Sequence, residues 1–437
     1  MKMKKVLAMS LSVLIAAASL SLSGCSSGKS PSGSASGSNA GQQNAQKTKV
    51  NFWYLWTGSD AKVVEGIISD YNKSQSRYEV VGLSTPDPQK IITAISGGKG
   101  PDVSDCFGSS MAQYAHDNIA MPLDDLMSKN SVKASDYDQS AIGQQKFEGK
   151  TYALPISLNI YALYYNKDLL KASGITTLPK NLDELNEMAD KATKVSNGTI
   201  TQMGAPFVTN QYWYFCYTYA YGDNFGNADG SKLTPDTKGF RTSLNFLASA
   251  VKKYGKNAVN NFITSGDSKE YTGQDPFCLG KQVFRIDGPW FYNTAKDAKI
   301  NLGITAIPGA SSQGDDGYTL LDTSNFFIPS NAKNSDGAFD FMKYITDGAG
   351  AKTYVMKKGD LPALNSLIND SSITGLSESF KVYLGIVKKN HMTPLPSFVN
   401  VSQYNQNITA AVGSVALGTS VDDAIAKLKQ QTANLGK

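Results

Sequence analysis

The sequence predicts an α/β fold, because segments typical of strands alternate along it with segments typical of helices. Segment 49–56 (KVNFWYLW) is rich in β-forming residues, and segment 60–73 has the spacing of an amphipathic helix. A second strand is expected at 78–83, a short helix at 90–96, and a third strand beginning at Pro101. This order is typical of a sheet with parallel strands, which binds ligands at the carboxyl ends of its strands.

The alternation continues through the rest of the chain. Segment 152–166 resembles a strand, although Pro155 and polar residues interrupt it. An amphipathic helix is expected at 181–193, where Asn181 is suited to cap the first turn. The other expected elements are helices at 237–254, 336–346 and 420–431 and strands at 282–286 and 325–329.

The part of the chain that follows residue 48 is long enough for two lobes. It comprises 389 residues, which exceeds the size at which one hydrophobic core usually suffices. The whole chain has 42 basic and 37 acidic residues, but residues 1–48 contain five of the lysines and no acidic residue. The remainder is therefore balanced in charge, which gives no electrostatic footprint for nucleic acid.

The N-terminal segment has the layout of a secretory signal. Three lysines precede an uncharged apolar stretch at 6–22, which ends in Leu22-Ser23-Gly24-Cys25. This tetrapeptide resembles the lipobox of bacterial lipoproteins, in which the cysteine is lipidated and becomes the N-terminus. The resemblance implies a signal peptide at 1–25 and a lipid on Cys25. The alternative is an ordinary signal peptide with an incidental cysteine.

A flexible linker is expected at 26–48. This segment is rich in serine and glycine and contains no aromatic or large aliphatic residue. Such a composition cannot bury enough apolar surface to offset the entropy lost on ordering. The linker would therefore tether the folded part of the chain to the lipid.

The remaining cysteines and the histidines give no sign of a cofactor. Three cysteines remain besides Cys25, namely Cys106, Cys216 and Cys278, and none of them is part of a CxxC motif. Because their number is odd, at most one disulfide could form, and buried free thiols are favoured. His116 and His391 are far apart and lack metal-ligand spacing. We expect no metal and no cofactor. The absence of catalytic motifs favours a binding protein over an enzyme. A glycoside hydrolase that uses a pair of carboxylates stays an open alternative, because the sequence singles out no pair.

Aromatic residues beside polar turns suggest a sugar ligand. Trp56 and Trp290 each adjoin a polar turn at a predicted strand end. Sugar rings have apolar C–H faces that stack on aromatic rings, and neighbouring Asn and Asp side chains can bind their hydroxyls. Segment 211–221 contains seven aromatic residues in eleven. Such clusters more often build a core.

Several motifs together resemble the extracellular solute-binding proteins of ABC transporters, specifically the carbohydrate-binding family 1 that includes maltose-binding protein. The resemblance covers most of residues 49–437 and rests on the joint order of its motifs behind the lipobox. The motifs are Trp53 and Trp56 in the first strand, Gly100-Pro101-Asp102-Val103, segments 148–155 and 163–170, Leu178-Pro179, Asp287-Gly288-Pro289-Trp290, and Gly359-Asp360-Leu361-Pro362-Ala363.

The resemblance implies two α/β lobes joined by a hinge, with the ligand buried between them. Closure of the lobes around ligand is a known motion of such proteins, and the ligand shifts the population toward the closed form. The hinge crossings are expected near 157–160, 319–325 and 359–364. Lobe one would comprise 49–158 plus 323–360, and lobe two 159–322 plus 361–437.

The resemblance also implies the residues that bind the ligand. Trp290 matches the family's sugar-stacking tryptophan. Asn159 replaces a carboxylate of one relative, and Ser109 and Ser110 replace charged ligand contacts of that relative. The resemblance therefore does not carry over the identity of the bound sugar. The other candidate contacts are Trp56, Tyr212, Trp213, Asp322, Asn325 and Tyr404.

The resemblance therefore implies a lipid-anchored protein at the extracellular face of the cell membrane. It would bind a carbohydrate, expected to be an oligosaccharide, and deliver it to the membrane permease subunits of an ABC importer. We expect a monomer. The alternatives are an extracellular glycan-active hydrolase and a binding protein for a non-sugar solute such as an amino acid or a polyamine.

Overall fold

The computed structural model describes residues 47–207, 212–227, 229–310, 317–374 and 378–436. The expected signal peptide, Cys25 and the linker up to residue 46 lie outside these ranges. Within the described ranges, no helix is both long and apolar enough to cross a membrane.

The described residues form strands of two to nine residues. The strands are β1 (Thr48–Tyr54), β2 (Tyr78–Ser84), β3 (Val103–Phe107), β4 (Lys146–Phe147), β5 (Lys150–Thr151), β6 (Ala153–Ile160), β7 (Ala162–Asn166), β8 (Lys194–Ser196), β9 (Thr199–Gln202), β10 (Phe284–Asp287), β11 (Leu302–Thr305), β12 (Thr319–Phe327), β13 (Leu361–Pro362) and β14 (Met392–Pro394).

Helices alternate with these strands along the chain. The helices are α1 (Gly58–Ser74), α2 (Pro88–Ser96), α3 (Met111–His116), α4 (Asp124–Lys129), α5 (Gln139–Gly143), α6 (Lys167–Ala172), α7 (Leu182–Ala192), α8 (Tyr212–Ala220), α9 (Lys238–Tyr254), α10 (Lys256–Asp267), α11 (Phe291–Asp297), α12 (Ser335–Thr346), α13 (Ala349–Lys358), α14 (Asn365–Ile368), α15 (Ser371–Thr374), α16 (Glu378–Lys388), α17 (Val401–Ala416) and α18 (Val421–Thr432).

The main sheet has the strand order β13-β6-β12-β3-β1-β2, and β14 pairs with β12. The pairs of β1 with β2 and of β1 with β3 are parallel, as the sequence predicts. In contrast, β12 runs antiparallel to both β3 and β6, so the sheet as a whole is mixed. The α/β class is confirmed, and the parallel arrangement holds only for the first three strands.

The three segments expected to cross the hinge lie side by side in this sheet. Strand β6 pairs with β12 on one side and with β13 on the other. The register between β6 and β12 shifts next to Pro155, so that Ile156 is left as an extra residue. Proline has no N–H to give to a neighbouring strand, and such irregularities are where sheets accommodate it.

Segment 152–166 is two strands instead of the single interrupted strand that the sequence predicts. Strand β6 belongs to the main sheet, whereas β7 is the central strand of a second sheet with the order β10-β7-β11. Both pairs in the second sheet are antiparallel. Tyr161 is the single residue between β6 and β7, so it lies where the chain passes from one sheet to the other.

Two large clusters of buried apolar residues hold these sheets and helices together. One contains Phe52 and Phe326 of the main sheet together with Phe341 of α12. The other surrounds α8 and α9 and includes Leu163 of β7. Trp290 packs against both clusters while remaining partly exposed.

Most of the predicted elements are confirmed, with boundaries that differ by a few residues. The side chain of Asn181 accepts a hydrogen bond from the Glu184 N–H (2.8 Å) and caps α7, as expected. The three cysteines at 106, 216 and 278 are buried free thiols, which is the alternative that the sequence favours.

The aromatic segment belongs to the core, as its composition favours, whereas one strand is longer than predicted. Segment 212–220 is a helix whose residues 213–220 are all buried, and a helix that is apolar on every side belongs inside a core. Strand β12 begins six residues earlier than predicted, because polar residues such as Asp322 interrupt its apolar pattern. Every residue of β12 is nonetheless buried.

Candidate functional site

A cavity of about 650 Å³ lies where the carboxyl ends of β1, β3 and β10 meet β6 and β12. Its position agrees with the rule that α/β sheets bind ligands beyond the carboxyl ends of their strands. The cavity is lined by Leu55, Trp56, Thr57, Gly58, Ser59, Asp60, Phe107, Asn159, Tyr161, Tyr212, Tyr271, Trp290, Asn293, Thr294, Asp297, Asp322, Ser324, Lys358 and Asp360.

Aromatic rings form one wall of this cavity. The ring of Tyr161 meets the ring of Trp290 edge-on, with 5.3 Å between centroids and 86° between planes. Tyr161 also stacks on Tyr212, with 5.9 Å between centroids and 27° between planes. Trp290 and Tyr212 are only partly buried. Their exposed ring surface can therefore contact the apolar face of a ligand.

A second tryptophan contributes to the lining from the end of β1. The Trp56 ring meets Phe326 (5.9 Å, 61°) and Tyr354 (5.6 Å, 61°), and both contacts are edge-on. Phe326 and Tyr354 are fully buried, so they hold the partly buried Trp56 in a defined orientation. The cavity thus has tryptophans on segments that are far apart in the sequence.

Gly288 determines the position of the Trp290 ring. A Cβ atom added at Gly288 would lie 2.1 Å from the nearest atom of that ring. The Asp287 carboxylate accepts a hydrogen bond from the Gly288 N–H (2.8 Å), and the Gly288 carbonyl accepts one from the Tyr164 hydroxyl (2.8 Å). Glycine is therefore required at this position of the Asp-Gly-Pro-Trp motif for a steric reason. Any larger residue would occupy the space of the Trp290 ring.

Substitution of Gly288 by alanine is expected to weaken ligand binding. The new methyl group displaces the Trp290 ring, and overpacking of this kind costs about 1–3 kcal/mol. We expect affinity to fall roughly tenfold, which corresponds to about 1.4 kcal/mol, as measured by calorimetric titration. Gly385→Ala is the control, since no atom lies within 4 Å of the place that an added Cβ would take there. An equal loss of affinity in that variant would contradict the explanation.

The polar residues of the cavity are held by hydrogen bonds to one another. The Asp322 carboxylate accepts hydrogen bonds from the Ser109 N–H (3.0 Å) and the Ser109 hydroxyl (2.9 Å). The Asn159 amide donates to the Ser324 hydroxyl at 3.1 Å and accepts from the Ser157 hydroxyl at 3.3 Å. Burial raises the pKa of Asp322, and the hydrogen bonds that it accepts oppose this rise.

A lysine and two carboxylates form a charged corner of the cavity. Lys358 Nζ donates to the Asp360 carboxylate and lies 3.4 Å from Asp60 Oδ2. Burial opposes a charge on Lys358, but the two carboxylates outweigh that effect and raise its pKa. Asp360 Oδ2 also accepts from the Tyr354 hydroxyl (3.0 Å), whereas Oδ1 is buried without a hydrogen-bond partner among the described residues. The Asp360 carboxylate therefore lies at the cavity with one oxygen whose capacity to accept a hydrogen bond is unused by the described residues.

A buried carboxyl supports the loop that carries Trp56. Asp105 accepts a hydrogen bond from the Leu55 N–H at 2.9 Å. Burial raises the pKa of Asp105 from 3.8 to about 8, although this and other hydrogen bonds lower it in part. The folded protein therefore holds a proton on Asp105 at pH values where the unfolded chain has lost it.

This shift predicts a pH-dependent contribution to stability. The native state binds the extra proton between about pH 4 and pH 8, so the contribution of Asp105 to the free energy of unfolding decreases as pH rises through this window. Asp105→Asn cannot ionise and keeps an oxygen for the Leu55 N–H. We expect the difference in Tm between variant and wild type to shift in favour of the variant from pH 5 to pH 8. Parallel Tm profiles would contradict the shift.

The structure brings five of the predicted contacts together at this cavity. They are Trp56, Asn159, Tyr212, Trp290 and Asp322. Ser109 and Ser110 line an adjoining cavity of about 460 Å³, which shares Phe107 and Tyr212 with the first. The hydroxyl of Ser109 donates a hydrogen bond to the Asp322 carboxylate, so Ser109 orients that carboxylate.

Three of the predicted contacts are corrected by the structure, because they lie in the core and do not line the cavity. Trp213 is 2% exposed and packs edge-on against Phe207. Tyr404 is 1% exposed, and its hydroxyl donates to the Phe225 carbonyl at 2.8 Å. Asn325 is fully buried in β12.

Several residues of the cavity have no local sequence signal that marks them as ligand contacts. Tyr161 lies within a segment that was assigned to a single strand. Asp360 belongs to the Gly-Asp-Leu-Pro-Ala motif, which indicates the family but not a ligand contact. Tyr271 lies in a stretch of turns between α10 and β10 that has no distinguishing pattern.

A larger cavity of about 920 Å³ is a weaker candidate. Its lining includes His116, Phe147, Glu148, Asp229 and Phe398. It contains no tryptophan or tyrosine and none of the residues singled out by the motifs as ligand contacts. The 650 Å³ cavity combines partly exposed rings with buried acceptors, so we assign the candidate site there.

Comparisons with known proteins agree with the fold. One similar solved structure is that of CpMnBP1 with mannobiose bound. It matches this chain with a TM-score of 0.79 and a sequence identity of 25%, and the match covers 88% of this chain and 99% of that one. The maltose/maltodextrin-binding domain of Bdellovibrio bacteriovorus has a TM-score of 0.70 at 21% identity, covering 89% of this chain and 100% of that one, which supports the two-lobe fold alone.

A sequence relative that is named for its ligand is the maltotriose-binding protein of Pyrococcus abyssi. It is 24% identical over 335 residues, which cover 74% of this chain and 68% of the relative. The profile of bacterial extracellular solute-binding proteins matches residues 67–378, which is more than half of the sequence. The chain therefore belongs to the family of bacterial extracellular solute-binding proteins.

Proposed function

We propose that this protein is the lipid-anchored receptor of an ABC importer and that it captures an oligosaccharide at the extracellular face of the membrane. The observation that carries the proposal is the combination of partly exposed Trp56, Trp290 and Tyr212 with Asn159 and Asp322 in one cavity. Rings supply apolar contact area, and the amide and carboxylate groups bind hydroxyls, which together suit a sugar.

The relatives support the choice of ligand class. CpMnBP1 was solved with mannobiose bound, and the Pyrococcus abyssi protein is named for maltotriose. A 24% identical protein of Streptococcus pneumoniae, aligned over 70% of this chain and 71% of its own length, is named a maltooligosaccharide ABC transporter solute-binding lipoprotein. The cavity of about 650 Å³ has the size of typical small-ligand sites and would hold a short oligosaccharide.

We further propose that the ligand is captured by closure of the two lobes. Lobe one would comprise 49–158 plus 323–360 and lobe two 159–322 plus 361–437, with β6, β12 and β13 as the crossing segments. In this division Trp56 belongs to lobe one and Trp290 to lobe two. A sugar that contacts both rings would therefore favour the closed form, which the permease subunits would recognise.

The proposal is tested by a thermal-shift screen of the purified domain 49–437 against mannobiose, maltotriose and other oligosaccharides. A ligand that binds the native state raises Tm by an amount that grows with RT ln(1 + [L]/Kd). We expect one class of oligosaccharide to raise Tm and to be recovered intact. Shorter products in the recovered sugar would favour a hydrolase, and a shift only with amino acids or polyamines would favour a non-sugar solute.

Cys25 provides a separate test of the anchor. Cys25→Ser removes the thiol that lipidation requires, so we expect the protein to lose its membrane attachment when expressed in a bacterium with lipoprotein processing. Fractionation of cells that express wild type or variant measures the change. Sugar binding by the folded domain should be unaffected, and a variant that stays in the membrane fraction would contradict lipid anchoring at this residue.

A further inference from the structure

A strained tyrosine forms part of the cavity wall beside Trp290. Tyr271 lies in the turns between α10 and β10, and 46% of its surface is exposed. Its backbone φ is 60°, in the left-handed region that bulky residues rarely adopt. Such conformations persist only where the surroundings enforce them, and they cluster at ligand-binding sites.

The buried Arg285 holds Tyr271 in this position. The guanidinium carbon of Arg285 lies 5.8 Å from the Tyr271 ring centroid. Its nitrogens lie 3.4 Å from Glu270 Oε1 and 2.8 Å from Asp275 Oδ2. Arg285 therefore fixes the chain immediately before Tyr271 and again four residues after it, which keeps the ring at the cavity despite the unfavourable backbone conformation.

Tyr271 and Trp290 both line the cavity. Partial desolvation in the cavity wall raises the pKa of Tyr271 well above its usual value, and the Asp287 and Glu270 carboxylates add to this rise. The nearby Arg285 guanidinium opposes it. Tyr271 therefore lines the same cavity as the ring on which the sugar is proposed to stack, and its hydroxyl can donate to and accept from a hydroxyl of that sugar.

We propose that Tyr271 is a specificity-determining residue of the ligand site. Its ring extends the apolar surface that Trp290 offers to the sugar, and its hydroxyl distinguishes sugars by the orientation of their own hydroxyls. This inference rests on the proposed function. It explains why the chain keeps a large aromatic residue at a position where glycine or asparagine would fold with less strain.

The test compares Tyr271→Gly, Tyr271→Ala and Tyr271→Phe with wild type, using calorimetric titration with a panel of mannobiose, maltose, cellobiose and lactose. We expect the glycine and alanine variants to lose affinity at least roughly fivefold, the threshold for a significant contact. Tyr271→Gly should nonetheless have the higher apo Tm of the two, because glycine adopts a positive φ without a Cβ clash. Tyr271→Phe should change the ratios of affinity among the sugars.

Tyr318→Ala serves as the matched control, because Tyr318 is similarly exposed (41%) but stacks on His391 and does not line the cavity. Its affinities should equal those of wild type. If no sugar binds wild type, the proposed function fails and this inference fails with it. If wild type binds and the three Tyr271 variants bind with the same affinities and ratios, only the inference about Tyr271 is overturned.

Discussion

Trp290→Ala is expected to weaken sugar binding by roughly 2–4 kcal/mol, the range for an aromatic hot spot. This corresponds to a loss of affinity of about thirty- to a thousandfold. The ring lies over Gly288, meets Tyr161 edge-on and stays partly exposed in the cavity. Removal of the ring deletes the surface on which a sugar is proposed to stack, whereas the partly exposed position limits the cost to the apo protein.

Trp213→Ala is the matched control for this substitution. Trp213 is 2% exposed in the second core cluster, so its removal is expected to cost about 3–5 kcal/mol of unfolding free energy. Trp290→Ala should cost clearly less. Titration with the cognate sugar and urea melts of both apo variants separate the two roles. Near-normal affinity of Trp290→Ala combined with a large loss of stability would show that Trp290 is a core residue.

The positions of Trp290 and Trp56 were predictable because a local pattern fixes each of them. Both follow a strand of β-forming residues and adjoin a polar turn, so the carboxyl end of a strand places them at the ligand edge of a sheet. Asp322 was also predicted, as a polar residue at an expected crossing. The same argument from the crossing fails for Asn325, which is fully buried, so the place of a residue in a strand does not by itself decide whether its side chain meets the ligand.

The roles of Trp213 and Tyr404 were not predictable in the same way. Trp213 lies one residue beyond Tyr212 in α8, and that single step turns its side chain from the cavity into the core. Composition does not show which face of an aromatic helix meets the ligand. Tyr404 of α17 depends on the packing of the chain near Phe225, which is remote in sequence. Tyr271 depends on Arg285 and on the strained turn, neither of which has a local signature.

Arg285→Met is expected to lower the unfolding free energy by about 3–5 kcal/mol, because it leaves buried carboxylates without their counter-ion. Arg285 donates to Asp287 at 2.7 Å and to Asp275 at 2.8 Å, and the side chains of both acidic residues are at most 2% exposed. Arg241→Met is the matched control. Its ion pairs with Asp236 and Asp422 are solvent-accessible, so about 0–1 kcal/mol is expected.

The loss of unfolding free energy in Arg285→Met should also depend on pH. Burial raises the pKa of Asp287 even in the presence of Arg285, which opposes the rise, so the pKa should be higher still in Arg285→Met. The native variant then binds more protons than its unfolded chain, and its stability decreases as pH rises. We expect urea melts to show a larger difference between wild type and variant at pH 8 than at pH 5. A difference that is equal at both pH values would mean that the cost comes from lost packing against Phe291, whose ring centroid lies 4.1 Å from the guanidinium carbon.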